Sequence, residues 1–392
     1  MEKSKARNIL INTSFSYFSI GLLWAAIGPL LSQFATRNGT TLATIGGLYS
    51  AIFLGAVVAL LVLGPLTDRW GHLRSLTIAM LTMGLGIIGV SLSRWLPLTF
   101  FLAFIAGLGQ GICNLSGNVM IGRLFSEKNV AAVNLINLFF GLGAFVGPLF
   151  VSLSLHLWQN GFPALWFSVV LLLAAAAIFL FGFFNVKVDS DHAAQAGQQK
   201  KKLRVTALLF SLGMLILLYV GSESAIGGWA TSYMQQTTSL KIEIAALVTS
   251  GFWLALSLGR AMGTLIGTRL SARHILMICL GISSLGTILF VLGYGQTIMS
   301  VAAIFLIGLG FGAIYPTGMA MLTSAHPDNP GQAGSLITAM GSIGGAIIPW
   351  MQGVVMEKTS IRGGTYMVAV LMLLLILSFA VHQRAVKRAK NN

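Results

Sequence analysis

Apolar residues in this chain come in long unbroken runs. They do not alternate as in a half-buried strand, nor form the one-sided stripe of a helix lying on a soluble core. Twelve such runs can be read, over 8–36, 42–66, 75–92, 98–121, 131–155, 164–185, 206–234, 243–267, 275–293, 298–322, 333–356 and 364–381. A helix rising about 1.5 Å per residue crosses a hydrocarbon layer of about 30 Å in about 20 residues. Lipid offers no partner for backbone N–H and C=O groups, so each run must satisfy its own as a helix. The pattern predicts an all-α membrane protein with twelve transmembrane helices.

The polar positions divide these runs. Most connections are short. The exception is 186–205, which holds Asp189, Asp191, several Gln and the run Lys200-Lys201-Lys202, and has no apolar period. It reads as a cytoplasmic linker between an N-terminal six-helix bundle over 1–185 and a C-terminal one over 206–392. The two halves also repeat in sequence. Gly107, Gly109, Gly111 and Gly117 of span four return as Gly308, Gly310, Gly312 and Gly318 of span ten, a shift of 201. At the same shift Gly143 and Pro148 of span five meet Gly344 and Pro349 of span eleven. At a shift of 200, Gly21 and Gly28 of span one meet Gly221 and Gly228 of span seven. With six spans per half the copies share one orientation. That is a parallel pseudo-two-fold repeat, the organisation of a two-bundle secondary transporter.

Composition agrees. The chain is 56% hydrophobic and 8% charged, against about 25% charged in a soluble domain. Its formal net charge of +15 has a topological explanation. Of 24 Lys and Arg, 18 fall in segments on the side of the N-terminus, 5 on the other side, and Arg260 lies within a span. The positive-inside rule then puts both termini in the cytoplasm of a multi-pass protein of the cell (plasma or inner) membrane, with the lipid bilayer as its partner. No basic, aromatic-interleaved soluble domain is present to bind nucleic acid. Cys113 and Cys279 fall inside spans and read as small core residues. The first run lacks a small-residue cleavage site and is expected to stay as an anchor.

Against this apolar background two charges stand out. Glu223, in Tyr219-Val-Gly-Ser-Glu223-Ser-Ala-Ile-Gly227-Gly228-Trp229, is the one acid deep inside a span, and Arg260 in span eight is the one deep base. Intramembrane charges are expensive and mark function by default. Glu223 is therefore the candidate proton-coupling residue, against the alternative of a neutral acid that only packs. Depth counting at about 1.5 Å per residue leaves roughly 12 Å between Glu223 and Arg260, less the reach of the side chains. An ion pair between them stays open at this point. If they pair, the carboxylate stays ionised; if they do not, burial favours the neutral acid.

Span four adds Gln110, Asn114 and Asn118 at four-residue spacing, on one stripe of a helix. Amides both donate and accept, which suits sugar hydroxyls; interhelical bonding is the alternative. Gln110 and Asn114 are the candidate substrate contacts. Trp24 of span one, Trp229 of span seven, Trp253 of span eight and Tyr315 of span ten join them, because aromatic rings stack on the apolar faces of pyranoses; packing or interfacial anchoring is the other reading. Tyr233 falls in span seven, and Trp350 and Gln352 in span eleven.

After span two comes Gly64-Pro-Leu-Thr-Asp68-Arg69-Trp-Gly71-His72-Leu-Arg74. This resembles the signature Gly-x-x-x-Asp-Arg-x-Gly-Arg-Arg/Lys of the major facilitator superfamily, with His72 at a basic position and Arg74 restoring the charge. The resemblance covers the whole chain. It implies that Asp68 and Arg69 latch the two halves on the cytoplasmic side, with Gly64 and Arg74 in the same gate. Gly64 reads as a place of close helix approach. Arg123 and Glu127, four apart past span four, can pair on one helical face and join that gate. The second half carries a decayed copy, Gly263 to Arg273, without an acid.

The string Asn134…Phe140-Gly141-x-Gly143-Ala144…Gly147-Pro148, with Glu223…Gly227-Gly228-Trp229…Tyr233, is similar to the fucose–hexose–proton symporters and related sugar transporters. Those have acids in spans one and four, where this chain has none. Glu223 would then carry coupling, or the transporter is uncoupled or uses another ion. The resemblance implies a monomeric secondary transporter moving a small polar solute, a sugar, by alternating access with a proton. A proton-driven drug or amphiphile efflux antiporter is the alternative, suggested by Gly143-x-x-x-Gly147-Pro148 and an apolar, Met-rich interior. No nucleotide loop, metal cluster or catalytic triad is read, so neither an enzyme nor a cofactor is expected.

Overall fold

The computed structural model describes residues 3–125, 129–183, 206–267, 269–325 and 330–391. Expectations for the linker over 186–205, for Glu127 and for the side chain of Asp68 fall outside what is described. Twelve described helices are long and apolar enough to cross a membrane: Ser4–Arg37, Leu42–Leu63, His72–Leu92, Leu96–Leu124, Ala132–Trp158, Phe162–Gly182, Ala207–Thr237, Ile242–Ile266, Ala272–Leu292, Thr297–Ala325, Gln332–Lys358 and Ile361–Arg388. They correspond one to one with the apolar runs and are numbered here as spans one to twelve. No strand occurs among the described residues. The fold is all-α, as the long runs require.

Three spans are irregular where hydropathy alone reads smooth. Span one passes through a 3-10 turn at Gly28–Leu30, where Pro29 has no N–H to give the preceding turn. Span two winds into a π-helical turn at Ala59–Leu63 and continues as Gly64–Trp70, past the apolar run. Gly71 ends it at φ +90°, a left-handed conformation that favours glycine. Span ten breaks between Thr297–Phe311 and Ile314–Ala325. Pro316 lacks the N–H that would bond the Gly312 carbonyl, so that carbonyl loses its helical partner at the break.

The chain divides into two compact units. The first is Met1–Thr41 with Gly47–Gln198, and the second is Leu42–Gly46 with Gln199–Asn392. The start of span two thus groups with the second unit, which the run pattern does not foresee.

Each unit is packed by the same scheme. In the first, span one packs on span five and span three on span four; in the second, span seven packs on span eleven and span nine on span ten. The repeated glycines explain the match. A Cβ on Gly107 would meet the Ile52 backbone, and one on Gly308 would come within 2.6 Å of the Phe252 carbonyl oxygen. A Cβ on Gly109 would lie 2.5 Å from the Ala79 carbonyl, and one on Gly310 2.6 Å from that of Cys279. Span four therefore touches spans two and three at backbone distance, and span ten does the same with eight and nine. Close approach of this kind drives helix association where no hydrophobic effect is available. Gly64 departs from its expected role. A Cβ there would meet only a Leu115 methyl carbon at 3.7 Å, an ordinary contact.

Candidate functional site

The second unit closes the depth gap between its two buried charges. Arg260 Nη2 lies 3.5 Å from Glu223 Oε1, with side-chain exposures of 31% and 12%. The length of the Arg side chain and the course of spans seven and eight supply what counting residues along straight helices left short. The carboxylate has an opposite charge beside it, the arrangement that makes an intramembrane acid tolerable.

Aromatic hydroxyls collect around the pair. Tyr219 sits one turn before Glu223 on the same face of span seven. Its hydroxyl lies at the two charges and interacts with both. Its ring meets Phe311 edge-on at 5.6 Å between centroids and Tyr315 at 6.4 Å. These two residues flank the break in span ten. Tyr315 stands within electrostatic reach of Glu223 and Arg260, with its hydroxyl 3.5 Å from that of Thr338. A Cβ on Gly312 would come within 2.6 Å of the Arg260 nitrogen, so the break itself is seated on span eight at the charged residue.

One turn along, Gly227 faces Trp253: a Cβ on it would lie 2.9 Å from the indole. Trp253 is 4% exposed, and its Nε1–H has no partner. Arg260 Nε is likewise buried and unpartnered. Glu223, Arg260 and Tyr315 are thus brought together with Tyr219, which the sequence reading did not single out, while Trp253 lies one turn along against Gly227. Its signal was its position four residues before the buried acid.

Trp229 is placed differently. It is 3% exposed, and its indole donates to the Pro349 carbonyl at 2.8 Å. Its single polar group is therefore engaged between spans seven and eleven. Gln352 donates to the Gly364 carbonyl at 2.9 Å, while its Oε1 is buried without a partner. Trp350 is 44% exposed. Tyr233 is buried, with its ring 4.5 Å from that of Phe290.

In the first unit, Gln110 is buried with its Oε1 unpartnered, while Asn114 is exposed. Asn118 donates to the Asn114 carbonyl at 2.7 Å and accepts from Asn137 at 3.1 Å. The Tyr17 hydroxyl reaches the Cys113 and Asn114 carbonyls, both at 3.4 Å. The amide stripe thus splits into bonded Asn118 and two amides that keep capacity. Trp24 is buried against Tyr49 and Phe53, edge-on at 5.7 and 5.3 Å. Of the gate residues, Arg69, Arg74 and Arg123 are exposed at helix ends on the side of residue 3.

The model of the Major Facilitator Superfamily matches residues 13–241 and 212–392. The glucose/mannose transporter GlcP of Bacillus subtilis is 23% identical over 354 residues, covering 86% of this chain and 85% of the relative. The sodium-dependent glucose transporter 1 of Homo sapiens is 22% identical, covering 88% and 72%. Among solved structures, the D-xylose-proton symporter aligns with a TM-score of 0.73 at 15% identity over 94% of this chain and 96% of the other. The nucleoside transporter NupG aligns with a TM-score of 0.70 at 16% identity over 97% and 98%. Those structural likenesses speak to the fold. The family model spans the chain from residue 13 to its end, and the twelve spans in two matching units follow the family's plan: the chain belongs to the Major Facilitator Superfamily.

Proposed function

We propose that this multi-pass membrane transporter moves a sugar by alternating access, with proton coupling through Glu223. The observation that carries the reading is a pair of buried, unpartnered donors on one face of span eight, Trp253 Nε1 and Arg260 Nε, the latter belonging to the Glu223–Arg260 pair. A buried donor or acceptor without a partner costs about 1–3 kcal/mol. A polyhydroxy solute supplies hydroxyl oxygens that would accept from both while its ring lies against the aromatic side chains. The named substrates of the relatives, glucose and mannose, have this chemistry.

In this scheme protonation of Glu223 removes the attraction that holds Arg260. The neutral acid can then release the guanidinium to the bound solute, and the loaded carrier reorients. Return of the proton to the far side restores the pair and expels the solute. The orientation is that of the Lys and Arg distribution, with both termini cytoplasmic, and the working unit is the monomer. Asp68, Arg69 and Arg74 close the cytoplasmic side.

The test uses reconstituted liposomes with an internal pH dye, a panel of hexoses and pentoses, and the variant Glu223→Gln. Expected is sugar-induced proton influx in the parent, and sugar exchange without proton influx in the variant. Uptake driven by a sodium gradient in place of protons would keep the sugar and remove the proton. Dye or drug extrusion with no sugar response would replace the reading with the efflux antiporter. Coupled uptake unchanged in the variant would reduce Glu223 to packing.

A further inference from the structure

A charged cavity lies in the first unit, at the end of the helices opposite residue 3. It has a volume of about 610 Å³ and is lined by Ser32, Gln33, Thr36, Arg37, Arg94, Gln159, Asn160 and Phe162. Its two cations face each other electrostatically, the charge on Arg94 acting on Arg37. No acid is among the residues that line it. The three connections at this end, 37–42, 92–96 and 158–162, contain no Asp or Glu at all. Two unneutralised guanidiniums at one concavity repel each other unless an anion sits between them.

The walls are held in place. Arg37 donates to the Ser91 carbonyl, and its guanidinium lies over the Phe162 ring, 4.0 Å from the centroid. The Ser91 hydroxyl is in turn bonded by the Trp166 indole at 2.8 Å. Gln33 fastens the facing loop, its Oε1 accepting from the Gly161 N–H at 2.9 Å and its Nε2 donating to the Gln159 carbonyl at 3.4 Å. Gln159 has φ +53°, the one left-handed non-glycine among the described residues. Such a conformation persists where surrounding contacts impose it, and it clusters at binding sites. Arg94 is exposed, so it can swing onto a ligand. The exposed indoles of Trp95 and Trp158, at 65% and 62%, stand beside the cavity in sequence. Amphipathic rings of this kind settle at head-group depth.

We propose that this cavity is an oxyanion site, which takes a phosphate group between Arg37 and Arg94 with Gln159, Asn160, Ser32 and Thr36 completing its hydrogen bonds. Guanidinium donors in a planar fork fit a phosphate in two places at once. The phosphate of an anionic lipid head group and free inorganic phosphate share this chemistry. Neither Glu223 nor Arg260 takes part, so the site stands independently of the transport reading.

The test is thermal unfolding of the full chain in a non-ionic detergent. Short-chain phosphatidylglycerol, short-chain phosphatidylcholine and inorganic phosphate are titrated separately against the parent, Arg94→Gln and, as a control of equal charge change, Arg362→Gln in the second unit. Expected is a rise in melting temperature with phosphatidylglycerol or with phosphate, but not with phosphatidylcholine. The half-saturating concentration should increase about tenfold in Arg94→Gln, the scale of one charge-assisted hydrogen bond, and stay unchanged in Arg362→Gln. A response to phosphatidylglycerol alone assigns the site to lipid; a response to phosphate assigns it to the free anion. No rise with either, or the same response in Arg94→Gln as in the parent, overturns the proposal.

Discussion

Glu223 and Arg260 are each conspicuous alone, as charges where hydrocarbon is expected, and the structure makes them partners at 3.5 Å. That changes what a mutation at either should do. Removing Arg260 leaves a buried carboxylate without its counter-charge; removing both charges leaves a polar but neutral contact. We expect Arg260→Met to lower stability by roughly 1–3 kcal/mol, less than for a fully buried pair because the guanidinium keeps 31% exposure. Glu223→Gln added to it should recover most of the loss. Thermal unfolding of both single variants and the double variant in detergent measures the coupling. Additive effects would mean that the two side chains do not act as a pair. Trp229 shows the limit of reading residues singly. Its place six residues past the acid suggests a pore-lining ring, but its N–H is bound to Pro349, and no spacing rule announces such a bond between distant spans.

At the scale of the element, the glycines of spans four and ten decide which helices meet. Gly308 has the Phe252 carbonyl within 2.6 Å of any added Cβ, so Gly308→Val should push span ten off span eight. A loss of about 2 kcal/mol or more, the scale of overpacking in a tight core, is expected in unfolding measurements. Gly251, one residue before Phe252, has nothing within 4 Å of its Cβ position. Gly251→Ala should be neutral or stabilising, since helix propensity favours alanine by about 1 kcal/mol. Equal losses at the two sites would refute the contact reading. The repeat of these glycines at a constant shift was legible in the sequence because backbone contact tolerates no side chain. The π turn at Ala59–Leu63 was not, and Pro316 alone does not announce the break at Gly312-Ala313, since Pro148 and Pro349 sit inside unbroken helices. Hydropathy averages over the turns in which they occur, and only the neighbouring helices show where the backbone yields.

For the whole molecule, the distribution of Lys and Arg predicts that both termini face the cytoplasm. A green fluorescent protein fused after residue 392 should fluoresce in cells, and a periplasmic reporter enzyme at the same place should be inactive; the reverse result would invert the topology. The sequence by itself determined the membrane environment, the number of spans, the repeat and the family. Each of these follows from local quantities, namely run length, charge per loop and glycine spacing, that lipid and backbone sterics read without reference to distant residues. Only the packed helices show that Glu223 meets Arg260, that Tyr219 and Tyr315 gather there, that Trp229 is engaged elsewhere, and that Arg37 and Arg94 share a cavity lined by no acid. Most of those are meetings between side chains on different helices. They depend on how spans tilt, break and turn about their axes, which is fixed by packing of the whole unit and leaves no periodic trace in the order of residues.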